Sequence, residues 1–338
     1  MIELLVVTAI ISILVSLALP ALGRARAAAR KLQCMNHVRN LALALQQFDA
    51  THRRLPASGN YRDAPVAQSG PYHTWAVSIL PYVDQNVIFQ QWDFDRPITG
   101  VVNQKLAQSL VPVFVCPDDI SAVGMADLSY VVNGGFGFTY RAGSVGDCVL
   151  SPWGHNLDLN GDGKTCVGAP SDDEDRALFK KSGVFFLENW KDGGTVRHHT
   201  LADILDGTSQ TFLVSENVRA GYDPEDPHSG FANPNPYRCA FYIGLPCQGG
   251  SCVEGNVDYS SANSGRARIN AGRTSAEGSS PAPSSFHEGG VHMAFADGHV
   301  KFLAEDIDGK IYAAMASPQG MLYQGTPLEQ VIVSGDAY

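Results

Sequence analysis

The chain begins with an apolar run that restricts what it can fold into. From Leu4 to Gly23, twenty residues carry no charge, and the polar members of the run are Thr8, Ser12 and Ser16. At the rise of an α-helix, such a run spans about 30 Å, the thickness of the hydrocarbon core of a bilayer. We interpret residues 4–23 as a membrane-spanning helix.

A cleavable signal peptide is the competing interpretation of this run. In a signal peptide the apolar region is shorter, the positive charges come before it, and small residues mark the cleavage site. Here the positive charges follow the run, in LPALGRARAAA, although that stretch does contain small residues. A buried core helix fits less well, because the run has no polar face.

The residues after the run keep a helical pattern of another kind. Apolar side chains recur at three- and four-residue spacing, which predicts one apolar helix face. These side chains are Leu32, Met35, Val38, Leu41, Leu45 and Phe48. Pro56 marks the expected stop. The sequence therefore predicts one N-terminal helix over residues 1–54, followed by a domain over 55–338.

The charge of the chain is unevenly distributed. The net charge is −10, yet seven Lys and Arg face a single acid between Arg24 and Arg54. From Leu55 onward, acidic residues outnumber basic ones by 15. Nucleic-acid binding needs a basic face, so we expect no nucleic-acid partner. The basic stretch lies where the surface of a membrane would be.

The first segment, IELLVVTAIISILVSLALPAL, resembles the N-terminus of type IV prepilins and type II secretion pseudopilins. The resemblance implies that Glu3 neutralises the N-terminal amine of a neighbouring subunit inside an apolar filament core. This is physically reasonable, because an unpaired carboxylate in hydrocarbon costs several kcal/mol. The open alternative is a Glu3 that lies at headgroup level and needs no partner.

Prepilin peptidase cleaves proteins of that class after a Gly that follows a basic leader. Neither the leader nor the Gly-Phe-Thr of the class precedes Met1 here, so we expect the true N-terminus to lie upstream. If only the basic residues that follow the apolar run are counted, the positive-inside rule would place the large domain in the cytoplasm. A basic leader would reverse this. We expect a single-pass inner-membrane protein with a periplasmic or extracellular C-terminal domain.

A second resemblance covers the rest of the chain. SFHEGGVHMAFADGHVKFL contains His287, nine further residues and then Asp297-Gly298. This is similar to the H-x9-DG element of DUF1559, a bacterial family of prepilin-like proteins of unknown function. Four more segments are similar to the family in the same order: TWAVSILPYVDQ (74–85), VFVCPDD (113–119), SYVVNGG (129–135) and LADILDGTSQTFLVSE (201–216).

The residue pattern after the helix predicts β-structure. GVHMAFADGHVKFL alternates, which predicts a hairpin within residues 287–303 that turns at Asp297-Gly298 and faces Phe302 inward. SQTFLVSENV, GVFFLENW and VPVFVC predict further strands. We expect an α+β, pilin-like fold in which the long helix packs on an antiparallel sheet.

Two stretches have the composition of insertions into this fold. They cover about 141–181 and about 219–285. The second includes SSANSGRARINAGRTSAEGSSPAPSS, whose low apolar content predicts a long mobile loop.

The sequence motifs predict no enzyme. HEGGVH departs from the zinc-protease HExxH, since its second His comes five residues after the first and two glycines interrupt the helix. His287 and Asp297 could form a metal or acid/base pair. We prefer structural roles, in which His287 anchors a loop and Asp297 with Gly298 makes a turn.

DLNGDGKTC resembles the first half of a calcium-binding loop. Asp158, Asn160 and Asp162 supply oxygens at the first, third and fifth positions, and Gly163 allows the bend. Ala169 stands where the bidentate glutamate would be. Calcium is therefore the one cofactor we consider, and an ordinary turn is the alternative.

Seven cysteines favour an exported protein. We expect Cys34, on the helix, to be packed or free. The other six allow fifteen pairings: Cys116, Cys148, Cys166, Cys239, Cys247 and Cys252. We favour Cys148–Cys166 and a bridge within 239–252, with metal binding by Cys247 and Cys252 as an alternative.

These features predict a prepilin- or pseudopilin-like structural or secretion-associated protein. Its expected partners are the inner membrane, other pilin-like subunits or the secretion machinery, and prepilin peptidase. The alternative is a membrane-anchored protein that binds a sugar or another solute. The aromatic side chains considered for such a site are Tyr72, Trp75, Tyr140 and Trp153.

Overall fold

A computed structural model describes residues 2–62, 70–120, 127–141, 147–164, 171, 173–190, 199–221, 226, 230–245, 257–331 and 333. Its α-helices are α1 (Ile2–His52), α2 (Trp75–Ser78), α3 (Asn86–Gln91), α4 (Val101–Ala107), α5 (Asp173–Phe179), α6 (Pro236–Cys239) and α7 (Gly309–Ala316). Its strands are β1 (Gly59–Arg62), β2 (Gly70–Thr74), β3 (Tyr130–Asn133), β4 (Phe138–Arg141), β5 (Asp147–Leu150), β6 (Leu187–Trp190), β7 (Phe212–Glu216), β8 (Ala240–Phe241), β9 (Gly290–Phe295) and β10 (Val300–Ala304).

The first half of α1 is exposed along its whole length and is apolar enough to cross a membrane. Its three hydroxyl groups donate hydrogen bonds to carbonyls of the same helix, over 3.0 Å from Thr8, 2.6 Å from Ser12 and 2.8 Å from Ser16. Polar groups satisfied within their own helix suit a segment surrounded by hydrocarbon. The predicted helix of about fifty residues is confirmed, and this half fits a single-pass membrane anchor.

The second half of α1 packs on the domain through one face. Its buried side chains follow the predicted spacing and are Cys34, Val38, Leu41, Ala42, Ala44, Leu45 and Phe48. Leu32, predicted on the same face, is instead 56% exposed, and it precedes Cys34, the first buried position of the helix. The helix ends at His52, where Arg53 adopts a φ of 57°, a left-handed conformation that closes helix ends.

The central element of the domain is a five-stranded sheet of order β10-β9-β7-β3-β8. Its pairs are antiparallel except β3–β8, which is parallel. The strands are short and apolar, and β9, β7 and β3 are buried at every position. A strand buried on both faces needs a core on each side, and the sheet separates two.

The two cores divide the side chains of the sheet by alternation. Val214 and Ala294 belong to the core that α1 covers, and Val291, Met293 and Phe295 belong to the core on the opposite face. Helix α7 packs into this second core. The predicted α+β fold, a long N-terminal helix packed on a largely antiparallel sheet, is confirmed.

The predicted hairpin within 287–303 is formed by β9 and β10, which pair Val300 with Ala294 and Leu303 with Val291. The inward orientation of Phe302 is wrong, because β10 is the edge strand. Phe302 is 37% exposed, and the Lys31 ammonium lies 3.2 Å from the centre of its ring.

Two of the predicted strands are corrected. VPVFVC forms a single 3-10 turn over Pro112–Phe114, since Pro112 lacks an amide hydrogen and favours the start of a helical turn. In GVFFLENW, strand β6 begins at Leu187. The preceding Val184 and Phe185 pack in the core covered by α1.

The described parts of the predicted insertions belong to the folded domain. Residues 141–181 include β5 and α5, and residues 219–285 include α6 and β8. The segment predicted to be a mobile loop packs Ala262 and Ile269 into the second core. Its backbone takes part as well, since the Tyr242 amide donates to the Pro281 carbonyl over 3.0 Å. Backbone hydrogen bonds and a few apolar side chains thus hold this segment on the domain.

Replacing Leu41 by Ala tests how α1 is held on the sheet. Leu41 is fully buried, so we expect the change to lower the free energy of unfolding by about 2–5 kcal/mol. Denaturant unfolding of the detergent-solubilised chain measures this loss. Leu43→Ala is the matched control, because Leu43 is 40% exposed on the same helix and should cost less than about 1 kcal/mol. Equal losses in the two variants would contradict this packing.

Candidate functional site

A cluster of polar and sulfur-containing side chains lies where α1 meets the central sheet. Cys34 comes from α1, Cys116 follows the 3-10 turn, Glu216 ends β7, and His287 precedes β9. Strands β7 and β9 are antiparallel neighbours, so the end of one lies beside the start of the other. The topology therefore brings together residues that are up to 253 positions apart, and we call these four the His287 cluster.

Cys34 and Cys116 form a disulfide, with their Cα atoms 5.2 Å apart. The bridge covalently joins α1 to the domain across 82 positions of sequence. The expectation of a packed or free Cys34, with Cys116 paired elsewhere, is therefore wrong. One turn of helix brings Cys34 onto the same buried face as Val38, and the loop after Phe114 brings Cys116 to meet it.

His287 lies between two carboxylates. Its Nδ1 is 3.1 Å from a carboxylate oxygen of Asp118, and its Nε2 is 3.2 Å from Oε1 of Glu216. Its backbone amide donates to the hydroxyl of Ser285 over 3.1 Å. Asp118 also pairs with Arg30 on α1. The imidazole is thus fixed at both nitrogens and belongs to a network that reaches the helix.

Glu216 is a fully buried carboxylate held by two histidines. The His292 amide donates to Oε2 over 2.7 Å, and Nδ1 of His292 lies 3.0 Å from Oε1. Burial by itself would raise the pKa of Glu216, but hydrogen bonds and charge from His287 and His292 outweigh it and lower the pKa. The carboxylate form is therefore the stable one, and both histidines are needed to offset the cost of its desolvation.

The other end of the H-x9-DG element makes the hairpin turn. A carboxylate oxygen of Asp297 accepts from the His299 amide over 3.0 Å and lies 2.6 Å from Nδ1 of His299. Gly298 has a φ of 89°, a conformation that favours glycine. His287 and Asp297 thus stand at opposite ends of β9, in separate hydrogen-bond groups.

Both ends of the element reach α1. The His287 end meets Cys34, and at the turn the Gln46 side chain donates to the Ala296 carbonyl over 2.9 Å. Cys34 and Gln46 are twelve residues apart, about 18 Å along a helix, and a six-residue strand spans about 20 Å. The element therefore matches the helix in length, is hydrogen-bonded to it at the turn and lies within 4.8 Å of Cys34 at the other end.

The family described as "Protein of unknown function (DUF1559)" matches residues 23–310. The chain belongs to this family. No curated protein and no solved structure matches the chain. The DUF1559 match begins at the last residue of the apolar run, so it covers the second half of α1 and the His287 cluster.

Sequence reasoning found His287 and missed its partners. Asp118, Glu216 and His292 were not singled out, nor was the pairing of Cys34 with Cys116. The available signal was that VFVCPDD ends at Asp119 and LADILDGTSQTFLVSE ends at Glu216. Both of these DUF1559-like segments bring residues to the same point as the H-x9-DG element.

The candidate calcium loop is a tight turn built on carboxylates. Asp158 is buried, and its two oxygens accept from the amides of Gly161, Asp162 and Gly163 over 2.8, 3.2 and 2.8 Å. The Asn160 side-chain oxygen accepts from the Asp162 amide over 3.0 Å. This geometry gathers the three predicted ligands around one loop, and calcium binding stays a prediction.

A cation in this loop would compete with Lys164. The Lys164 ammonium lies 2.5 Å from Oδ2 of Asp162, and this hydrogen bond lowers the pKa of Asp162. Ala169, at the twelfth position of the loop, lies outside the described residues.

The remaining cysteines are described in part. Cys148 is disulfide-bonded to a partner outside the described residues, so its pairing with Cys166 stays a prediction. Cys239 is a free, buried thiol that donates to the Pro234 carbonyl, so the bridge predicted within 239–252 does not include it. Cys247 and Cys252 lie outside the described residues.

The aromatic residues considered for a ligand site are core residues where described. Trp75 is fully buried and its indole N–H donates to the Cys239 carbonyl over 2.9 Å. Tyr72, which lies shortly before Trp75 in the sequence, is also buried. Packing within the domain accounts for both, and Trp153 is half-buried against the core covered by α1.

His287→Ala and Asp297→Ala should destabilise the protein independently. The first leaves Glu216 with one histidine, and leaving a buried charge without one of its partners costs about 3–5 kcal/mol. The second weakens a turn and should cost about 1 kcal/mol. We expect the loss of unfolding free energy in the double variant to equal the sum within about 0.5 kcal/mol. A larger coupling would show that the two residues act as one site.

Calcium should raise the melting temperature if the loop binds it, because a ligand that binds the native state stabilises it. Asp158→Ala should abolish this rise, whereas Asp306→Asn, at an exposed acid on the turn after β10, should keep it. Asp158→Ala also removes hydrogen bonds in the loop, so the measured quantity is the difference with and without calcium in each variant. An unchanged melting curve of the parent chain in millimolar calcium would end this hypothesis.

Proposed function

We propose that this DUF1559 protein is a pilin-like structural or secretion-associated subunit, anchored by the first half of α1 and able to assemble through it. The observation that carries the proposal is the complete exposure of an apolar half-helix on a well-packed domain. Large apolar surfaces of this kind are covered in the cell by lipid or by other proteins.

Glu3 supports assembly over simple anchoring. It is an exposed carboxylate in the first turn of α1, and large apolar side chains such as Ile2, Leu4 and Leu5 surround it in sequence. A charge at that depth is stable when a cation of a neighbouring subunit meets it. The amine of an adjacent pilin-like subunit, freed by prepilin peptidase, is the partner we propose.

Disulfide bonds support a domain outside the cytoplasm. The Cys34–Cys116 bridge and the bridge to Cys148 are stable in oxidising compartments, whereas cytoplasmic thiols are kept reduced. We therefore propose that the inner membrane holds the first half of α1 and that the domain is periplasmic or extracellular.

The proposal assigns no reaction to the His287 cluster. The side chain of His287 is 2% exposed and that of Glu216 is fully buried, so neither is presented to an organic substrate at the protein surface. Glu216 instead binds His287, which reaches α1 through Asp118 and Arg30, and this connection is one that an assembling subunit must keep under load.

Glu3→Gln tests the assembly step. In cells that produce the chain, we expect sheared surface filaments to contain the parent protein and the Asp306→Asn control, and to lack Glu3→Gln. The membrane fraction should hold equal amounts of all three, because the charge of Glu3 is not needed to span the bilayer. Detection of the parent chain as a membrane-bound monomer without filaments would contradict the proposal and favour a solitary anchored protein.

A further inference from the structure

The His287 cluster contains the ligands of a metal site. The two sulfur atoms of Cys34 and Cys116, a ring nitrogen of His287 and a carboxylate oxygen of Glu216 all lie within 4.8 Å of one another. All four residues are buried. We propose that these four residues bind a divalent metal ion of the zinc class when Cys34 and Cys116 are reduced.

The chemistry of the donors selects the metal. Two thiolates, one imidazole and one carboxylate are ligands that zinc accepts in four-coordinate sites, and thiolates disfavour magnesium and calcium. The ion would also compensate negative charge that is costly to bury.

The distances already match two edges of such a site. Zinc–sulfur bonds of about 2.3 Å and zinc–nitrogen or zinc–oxygen bonds of about 2.0 Å place tetrahedral ligands about 3.3–3.8 Å apart. Nε2 of His287 lies 3.2 Å from Oε1 of Glu216 and 3.7 Å from Sγ of Cys116. The principal change that binding requires is the separation of the two sulfur atoms once their bond is broken.

A second observation, independent of the four ligands, is the support around them. Metal-binding histidines almost always donate the other ring N–H to a carboxylate, a backbone carbonyl or water, and ligating carboxylates are themselves hydrogen-bonded. Nδ1 of His287 lies 3.1 Å from Asp118, while Oε2 of Glu216 accepts from the His292 amide over 2.7 Å. The cluster therefore has both the ligands and the groups that orient them.

The disulfide and the metal are alternative states of the same residues. A dithiol reductant donates two electrons and two protons to the Cys34–Cys116 bond, yields two thiols and is itself oxidised to a disulfide. The two thiols then lose their protons to solvent as their sulfurs bind the ion. In both states a link joins α1 to the domain, by a sulfur–sulfur bond when oxidised and through the ion when reduced.

Cobalt(II) provides the test, because its spectrum reports both thiolate ligands and tetrahedral geometry. The full chain in detergent is reduced anaerobically with a phosphine, freed of metal by a chelator and titrated with cobalt. We expect a sulfur-to-cobalt charge-transfer band and strong visible bands that saturate at a single equivalent, followed by displacement with zinc. The unreduced chain should show neither band.

Variants separate this site from the other cysteines. Cys116→Ser should reduce the charge-transfer band and Glu216→Gln should weaken binding, whereas Cys148→Ser should bind cobalt like the parent chain. Asp118→Asn tests the positioning role of that carboxylate and should weaken binding about tenfold to a hundredfold. Circular dichroism of each reduced variant shows whether it remains folded.

Absence of the cobalt bands in the reduced, folded parent chain would overturn the proposal, as would bands that persist unchanged in Cys116→Ser. Unfolding of the parent chain on reduction, with no refolding when zinc is added, would overturn it as well. None of these outcomes bears on filament assembly, which depends on the first half of α1.

Discussion

The attachment of α1 to the central sheet is the interaction on which the rest of the structure depends. The first half of the helix faces away from the domain, so its second half alone holds the two parts together. The helix covers one face of a sheet whose middle strands are buried on both sides. Without the helix, apolar side chains of β7 and β9 would meet water, at a cost of about 25 cal/mol for each Å² exposed.

Three kinds of interaction hold α1 on the central sheet. Apolar side chains such as Leu41 and Leu45 bury a continuous stripe, the Cys34–Cys116 disulfide fixes one end, and Gln46 fastens the hairpin turn. The H-x9-DG element supplies the attachment at the turn, and Cys116 supplies the one near His287.

The buried ionic group beside the disulfide specifies how the parts fit. A carboxylate such as Glu216 is costly to desolvate, and it is stable because His287 and His292 are both oriented toward it. The arrangement tolerates little displacement of β7, β9 or the loop that carries Asp118. Charged groups here favour one geometry of the helix against the sheet, whereas apolar packing alone would accept several.

The sequence by itself determined the long helix, its change from an apolar to an amphipathic half, and the β9–β10 hairpin, because these depend on local periodicity and turn chemistry. It predicted the strand at Phe212–Glu216 but placed another at Pro112–Phe114, where proline favours a turn. Only the tertiary structure decided the partners of Cys34 and His287, since these lie 82 and 71 or more residues away in the chain. Contacts between such distant residues arise from strand order and helix docking, and residue spacing along the sequence does not predict them.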